Sequence, residues 1–240
     1  MSEELGTQKN GKAKHPAGPV PRHLGSELET AVATAATVDP KSVDPQRYLP
    51  KLVIMRATIQ GVSPLIVENF DKKTRDMLLE KHKGHATGKK GAKDVDALFL
   101  GSKYLDGQGR DCFPCGPIRA AMIGAARIVD SESMATLKQA IFIENPTDRM
   151  SDLIPLEFSR CEQREDATRN ANGQPDIRIR ACYYDWKLSF VVKAVQNVLS
   201  TEKLLELLAH AGLGGLGGWR PSGKKGIGGV YGRFEIADIQ

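Results

Sequence analysis

Ala211-Gly212-Leu213-Gly214-Gly215-Leu216-Gly217-Gly218-Trp219-Arg220-Pro221-Ser222-Gly223-Lys224-Lys225-Gly226-Ile227-Gly228-Gly229-Val230-Tyr231-Gly232-Arg233-Phe234-Glu235-Ile236 is the stretch from which the fold can be read. A helical run with Leu204, Leu205, Leu207 and Leu208 as its buried stripe ends as this stretch begins, and the alternating strand Val230 to Ile236 leaves it. The order is helix, glycine-rich connection, strand. It excludes a dinucleotide fingerprint, although Gly212-x-Gly214-x-x-Gly217 fits the letters, because that fingerprint needs a strand before it and a helix after it. A Walker loop is excluded too, since no Gly-Lys-Ser/Thr opens a helix here. Two readings of the glycines stay open. One is a mobile surface loop. The other is a phosphate site, in which glycine-exposed amides act with Arg220, Lys224, Lys225 and Arg233, the only charged side chains from Gly212 to Arg233.

Upstream, Thr201 to Ala211 reads as the helix, and Tyr183 to Val195 as a long strand with Trp186, Leu188, Phe190 and Val192 on one face. A short strand, Ala140 to Ile143, precedes it. Pro117 to Val129 reads as a helix with Pro117 in its first turn and Ile118, Met122, Ala125 and Ile128 at helical spacing. Arg119 and Arg127 project from its other faces. Lys51 to Ile59 is the first strand, rich in β-branched residues. The order is then strand 52–60, helix 117–129, strand 139–144, strand 184–194, helix 201–211, strand 230–237. That is an α+β chain with the ferredoxin-like (RRM-like) βαββαβ plan.

Two large insertions interrupt the plan, at about 70–110 and about 157–182. The first holds an expected helix from Asp71 to Lys81 that carries Lys72, Lys73 and Arg75. A basic loop with Lys89 and Lys90 follows, then a hairpin around Asp106-Gly107. The second reads as a hairpin. Leu153 to Phe158 leads out, Gln163 to Gln174 is the polar tip, and Ile177 to Ala181 leads back, with Arg160, Arg164, Arg169, Arg178 and Arg180 along it.

Residues 1–50 read as a flexible basic arm that cannot bury a core, followed by one domain over 51–240. A net charge of +5 favours a polyanionic partner without naming one. No apolar run approaches the roughly 20 residues a membrane span needs, and no signal-peptide core opens the chain, so a cytoplasmic protein without membrane contact is expected. Cys112-Phe113-Pro114-Cys115 is a CxxC, but no second CxxC or nearby His completes a zinc set, so neither metal nor cofactor is expected.

Three pieces of the chain resemble the RAMP superfamily of CRISPR-associated proteins, and within it the backbone subunits that line guide RNA in multi-subunit effector complexes. They are the opening strand running into Gly61-Val62-Ser63-Pro64-Leu65-Ile66, the turn Phe113-Pro114-Cys115-Gly116-Pro117-Ile118-Arg119-Ala120-Ala121, and the C-terminal helix, basic glycine loop and Gly232-Arg233-Phe234 strand. The resemblance implies a β-hairpin thumb near 157–182 and a finger or web near 70–110. It also implies head-to-tail polymerisation along RNA and contacts with other effector subunits, with bases left free to pair with a target strand. Lys72, Lys73, Arg75, Lys89, Lys90, Arg119, Arg127, Arg164, Arg169, Arg178, Arg180, Trp219, Arg220, Lys224, Lys225 and Arg233 are the expected nucleic-acid contacts. Tyr231 and Phe234 are available for stacking, with core packing favoured for Phe234.

Other readings remain. Some relatives cleave RNA, and the residues available for that here are His82 and His85, or Asp71, Asp76, Asp94 and Asp96. General acid–base work needs a positioned group, which a Lys/Gly-rich loop supplies poorly, so no catalytic residue is assigned. A phage-type structural or assembly protein sharing the fold is the remaining class.

Overall fold

The computed structural model describes residues 44–69, 79–80, 82–84, 94–169, 173–223 and 229–240. The chain divides into two units, Met1–Leu49 and Pro50–Gln240. The described part of the first is a single 3-10 turn, Pro45–Tyr48, whose Gln46 amide donates to the Asp44 carboxylate at 3.0 Å. The expected helix from Asp71, the basic loop and most of the arm lie outside the described residues.

In the second unit, strand Leu52–Gly61 (β1) buries Met55, Ala57 and Ile59 and turns Ile54, Arg56 and Gln60 outward. Such alternation is what a half-buried strand requires. It pairs antiparallel with Lys187–Val195 (β9) from Leu52↔Val195 to Gln60↔Lys187. Phe234–Ile239 (β10) joins the other edge of β1, and Ile141–Glu144 (β5) joins the far edge of β9. The order β10–β1–β9–β5 is antiparallel throughout, which is consistent with a ferredoxin-like core within a mixed α/β fold. More strands extend this sheet. Leu153–Glu157 (β6) shares the edge of β9 with β5, and Asp111–Pro114 (β4) and Tyr104–Leu105 (β3) continue outward from β6.

A second, three-stranded sheet runs in the order Leu65–Val67 (β2), Pro175–Tyr184 (β8), Arg160–Arg169 (β7). Helix Val95–Gly101 (α1) packs on β8, and the Ser102 hydroxyl accepts from the Ala181 amide at 2.9 Å. Helices Cys115–Ala125 (α2) and Thr201–Gly214 (α4) pack together over the larger sheet. Ile118 and Met122 from one, and Leu204, Leu207 and Leu208 from the other, join Ala57, Ile59, Phe190 and Val192 in one core. Short helix Met134–Ala140 (α3) leads straight into β5.

Several boundaries differ from the sequence reading. The helix expected over 117–129 is Cys115–Ala125, because proline is tolerated anywhere in the first turn, where amides lack intrahelical partners. Ile128 consequently falls outside the helix and is 67% exposed. Residues 139 and 140, expected in the strand 139–144, belong to α3, which is capped by Ser133 accepting from the Thr136 amide at 3.2 Å. Leu153 to Phe158 is not the outbound arm of the hairpin. Its strand β6 pairs with β4 and β9, and the hairpin is β7–β8, with strand structure through most of the expected tip. The long strand 183–195 breaks at Asp185, whose φ of 51° carries the chain from the small sheet to the large one. Finally, residues 230–233 form a turn, and β10 starts only at Phe234.

Candidate nucleic-acid interface

The glycine-rich connection is stitched to the rest of the domain by its own backbone. The Gly218 amide donates to the Ile66 carbonyl at 2.8 Å, the Gly232 amide to the Pro64 carbonyl at 2.8 Å, and the Leu216 amide to the Gly232 carbonyl at 2.9 Å. Ser222 donates to Gly214 and Tyr231 to Trp219. These amides are therefore taken by carbonyls and are not offered to a ligand. Two glycines show what the composition is for. Gly217 (φ 70°) and Gly232 (φ 68°) sit in left-handed conformations, and a Cβ on either would run into backbone, the Ile66 carbonyl for one and Leu216 for the other. The stretch is a backbone-to-backbone joint.

Beside this joint lies a cleft of about 830 Å³. Its floor is the small-residue flank of α2, Gly116, Ala120 and Gly124, and its walls are the end of α4 with Gly214–Gly218 on one side and Val67–Glu68 on another. Arg127, His210 and Arg220 are in its lining. Arg127 is exposed, and Arg220 is anchored by donating to the Gly217 carbonyl at 2.7 Å. His210 Nδ1 lies 2.9 Å from the Glu206 carbonyl, so Nδ1 carries the proton and Nε2 is the acceptor of the neutral ring. Trp219, between the lining residues Gly218 and Arg220, is 45% exposed with φ 54°. A left-handed tryptophan costs about 1–3 kcal/mol and persists only where the surrounding backbone contacts enforce it.

The predicted residues thus separate into groups. Arg127 and Arg220 meet at the cleft, and Trp219 is the chain neighbour of Arg220. Arg164, Arg178 and Arg180 meet instead on one face of β7–β8, where Arg164 stands opposite Arg180 and Asp166 opposite Arg178. Asp166 accepts from Arg164 Nε at 2.8 Å and from Arg180 at 3.2 Å, and Glu68 pairs with Arg178 at 3.0 Å and Arg180 at 2.9 Å. Arg164 also donates to the Tyr231 hydroxyl at 3.0 Å and lies over its ring, 4.6 Å from the centroid. Burial alone would depress the Arg164 guanidinium, but Asp166 and Tyr231 outweigh it and hold its pKa up. Tyr231 is therefore engaged within the chain. Phe234 is in the core, edge-on to Trp186 at 6.3 Å, in line with its expected packing role.

Arg119 stands apart. It donates to the Ile141 carbonyl at 2.7 Å and to the Lys138 carbonyl, tying α2 to the α3–β5 junction. Arg233 has an exposed side chain, and its amide donates to Ser63 Oγ at 2.9 Å. Lys72, Lys73, Arg75, Lys89, Lys90, Lys224 and Lys225 lie outside the described residues, as does the side chain of Arg169. Of the residues open to catalysis, Asp94 caps α1 by accepting from the Ala97 amide at 3.0 Å, and His82 is exposed. Asp71, Asp76 and His85 fall outside the described residues. Burial raises the thiols of the CxxC, that of Cys115 to about 11, so neither is a thiolate near neutral pH. Among the described residues, no group of three or more His, Cys, Asp or Glu is arranged to hold a metal, and no helix is long and apolar enough to cross a membrane.

Glu68 and the floor of α2 were not foreseen, nor was the direct pairing of Asp166 with Arg164 and Arg180. The available signal was the charge alternation Arg160-x-Glu162-x-Arg164-x-Asp166, which at period two places these four charges on one strand face and Glu165 on the other.

No protein-family model and no curated protein matches the chain. Among solved structures, a chain of the Type III-B Cmr-beta bound to cognate target RNA is similar with a TM-score of 0.45 and 10% identity, over 79% of this chain and 60% of that chain. Cmr6 from Pyrococcus furiosus is similar with a TM-score of 0.37 and 11% identity, over 78% of this chain and 98% of that chain. The chain therefore spans 60% of the length of the first of these.

Proposed function

We propose that the chain is a non-catalytic RNA-binding subunit that lays a guide strand along the α2–α4 cleft and polymerises head to tail. It would thereby form the backbone of a cytoplasmic RNA-guided ribonucleoprotein complex, with the β7–β8 hairpin as its thumb. The observation that carries this reading is the convergence on one cleft of Arg127, just past the end of α2, and Arg220, in the glycine-rich joint, with the exposed Trp219 next to Arg220 in the chain. Cations at the rim of a small-residue groove hold a sugar–phosphate chain without reading bases, and an exposed indole offers a stacking surface to any base. The motif resemblance at Phe113–Ala121 and at the glycine loop points to the same floor and wall of this cleft.

The test begins with the purified protein. Nucleic acid that co-purifies and is released by salt is expected, whereas a protein-like absorbance ratio with no salt-sensitive RNA retention counts against the proposal. The double variant Arg127→Glu/Arg220→Glu should weaken single-stranded RNA binding alike across sequences and flatten its salt dependence. Unchanged affinity would remove the cleft from the site. Ordered oligomers assembled without nucleic acid would favour a structural protein instead.

A further inference from the structure

We infer that Arg178 and Arg180 form a backbone-phosphate fork occupied by Glu68 until a strand arrives, so that Glu68 is an internal competitor of the RNA. The inference rests on the RNA-binding reading and adds to it a second contact point, beyond the cleft.

The two guanidiniums grip one carboxylate from both sides, Arg178 on Oε1 at 3.0 Å and Arg180 on Oε2 at 2.9 Å. Two oxygens of a phosphate suit the same grip, since arginine recognises carboxylate and phosphate through the same planar fork. The partners differ in freedom. Arg180 is 5% exposed, and the buried Asp166 holds it on its other side at 3.2 Å. Its Nε is buried without a hydrogen-bond partner among the described residues. The fork is thus prepositioned, and one of its donors is unspent.

Glu68 is the loose member. It follows β2 rather than lying in a strand, and its side chain is 46% exposed. It also lines the cleft proposed to carry the strand, which places the fork at the cleft's border. Three guanidiniums, Arg164, Arg178 and Arg180, face two carboxylates, Glu68 and Asp166. Withdrawal of Glu68 leaves an excess of two positive charges beside the path of a polyanion. A backbone phosphate at the fork brings one negative charge and so replaces the one Glu68 withdraws, while the carboxylate returns to water at little penalty because it is already half-solvated. A ligand that must displace an internal partner binds with its affinity reduced by the fraction of open fork.

The experiment measures fluorescence anisotropy of a labelled single-stranded RNA 20-mer, on the full-length protein, across a salt series. Glu68→Gln removes the competing charge. It is expected to tighten binding by about three- to tenfold at low salt and to steepen the log K–log salt slope by about one ion. Binding by Glu68→Gln where the unmodified protein shows none supports the same conclusion. Equal or weaker binding by Glu68→Gln, while the unmodified protein binds, overturns the fork and leaves the cleft reading in place. Absence of binding by both removes both. Should Glu68→Gln lose its cooperative thermal transition, the exposed Arg178→Gln decides instead. A several-fold loss of affinity with a shallower slope supports the fork, and unchanged affinity overturns it.

Discussion

The two sheets of this chain use the same two-residue period for opposite ends. On β9 the alternate residues Leu188, Phe190, Val192 and Ala194 are all at 0% exposure. On β7–β8 the alternate residues of one face are Arg164, Asp166, Arg178 and Arg180. The first face is held by removal of apolar surface from water, which no single partner controls. The second is held by matched charges and loses its balance when one partner leaves. What differs is exchangeability. A buried phenyl ring has no competitor in solution, whereas a guanidinium does not distinguish a carboxylate of its own chain from a phosphate of another molecule. The larger sheet supplies rigidity, and the smaller one supplies groups that can change partners.

The sharpest break in this comparison comes from Phe190→Ala, which should lower the unfolding free energy by about 4 kcal/mol in urea melts, since deletion of a buried aromatic leaves a cavity that the sheet cannot close. Next comes Arg180→Met. It strands Asp166, buried at 7% exposure, and is expected to remove about 3 kcal/mol, the low end for a broken buried pair because Arg164 remains beside the carboxylate. The double change Arg180→Met/Asp166→Leu should restore most of that loss. If it does not, the charged face stabilises the hairpin in a way that apolar packing cannot replace. Added salt should leave the stability difference between Phe190→Ala and its parent unchanged, because the apolar face carries no charge to screen.

Much of the larger sheet was legible. Lys51 to Ile59 and Trp186 to Val192 announce themselves because alternation reports burial on one side, and the leucines of α4 do the same at helical spacing. Partnership was not legible. Leu153 to Phe158 reads as the outbound arm of a hairpin because period two says that a strand exists, not which strand it meets. The role of the glycines stayed open between a surface loop and a phosphate site because the carbonyls that need them, at Ile66, Pro64 and Leu216, are brought near only by the fold. Arg119 looks like a helix-surface cation until α3 ends against it. Glu68 lies 110 residues from Arg178, a distance at which no local pattern speaks. The cleft was half visible: Arg127 and Arg220 were named, but not the Gly116–Gly124 floor that lies between them.

The smallest expected effect separates the sheets by pH rather than by residue. Cys115, at the start of α2 in the apolar core, has its thiol pushed by burial from 9.0 to about 11. A raised acid binds its proton more tightly in the folded state, so its contribution is whole below pH 9 and is lost as the pH climbs from 9 towards 11. At pH 10 the loss should be about 1 kcal/mol relative to pH 8. The arginines of β7–β8 stay charged throughout this range and contribute nothing to such a change. Urea midpoints at pH 8 and pH 10 for the unmodified protein and for Cys115→Ala check the attribution. The parent should lose more stability than the variant over that interval, and equal losses would place the alkaline sensitivity elsewhere, first in Tyr183, whose hydroxyl is likewise raised by burial and by its hydrogen bond to Asp111.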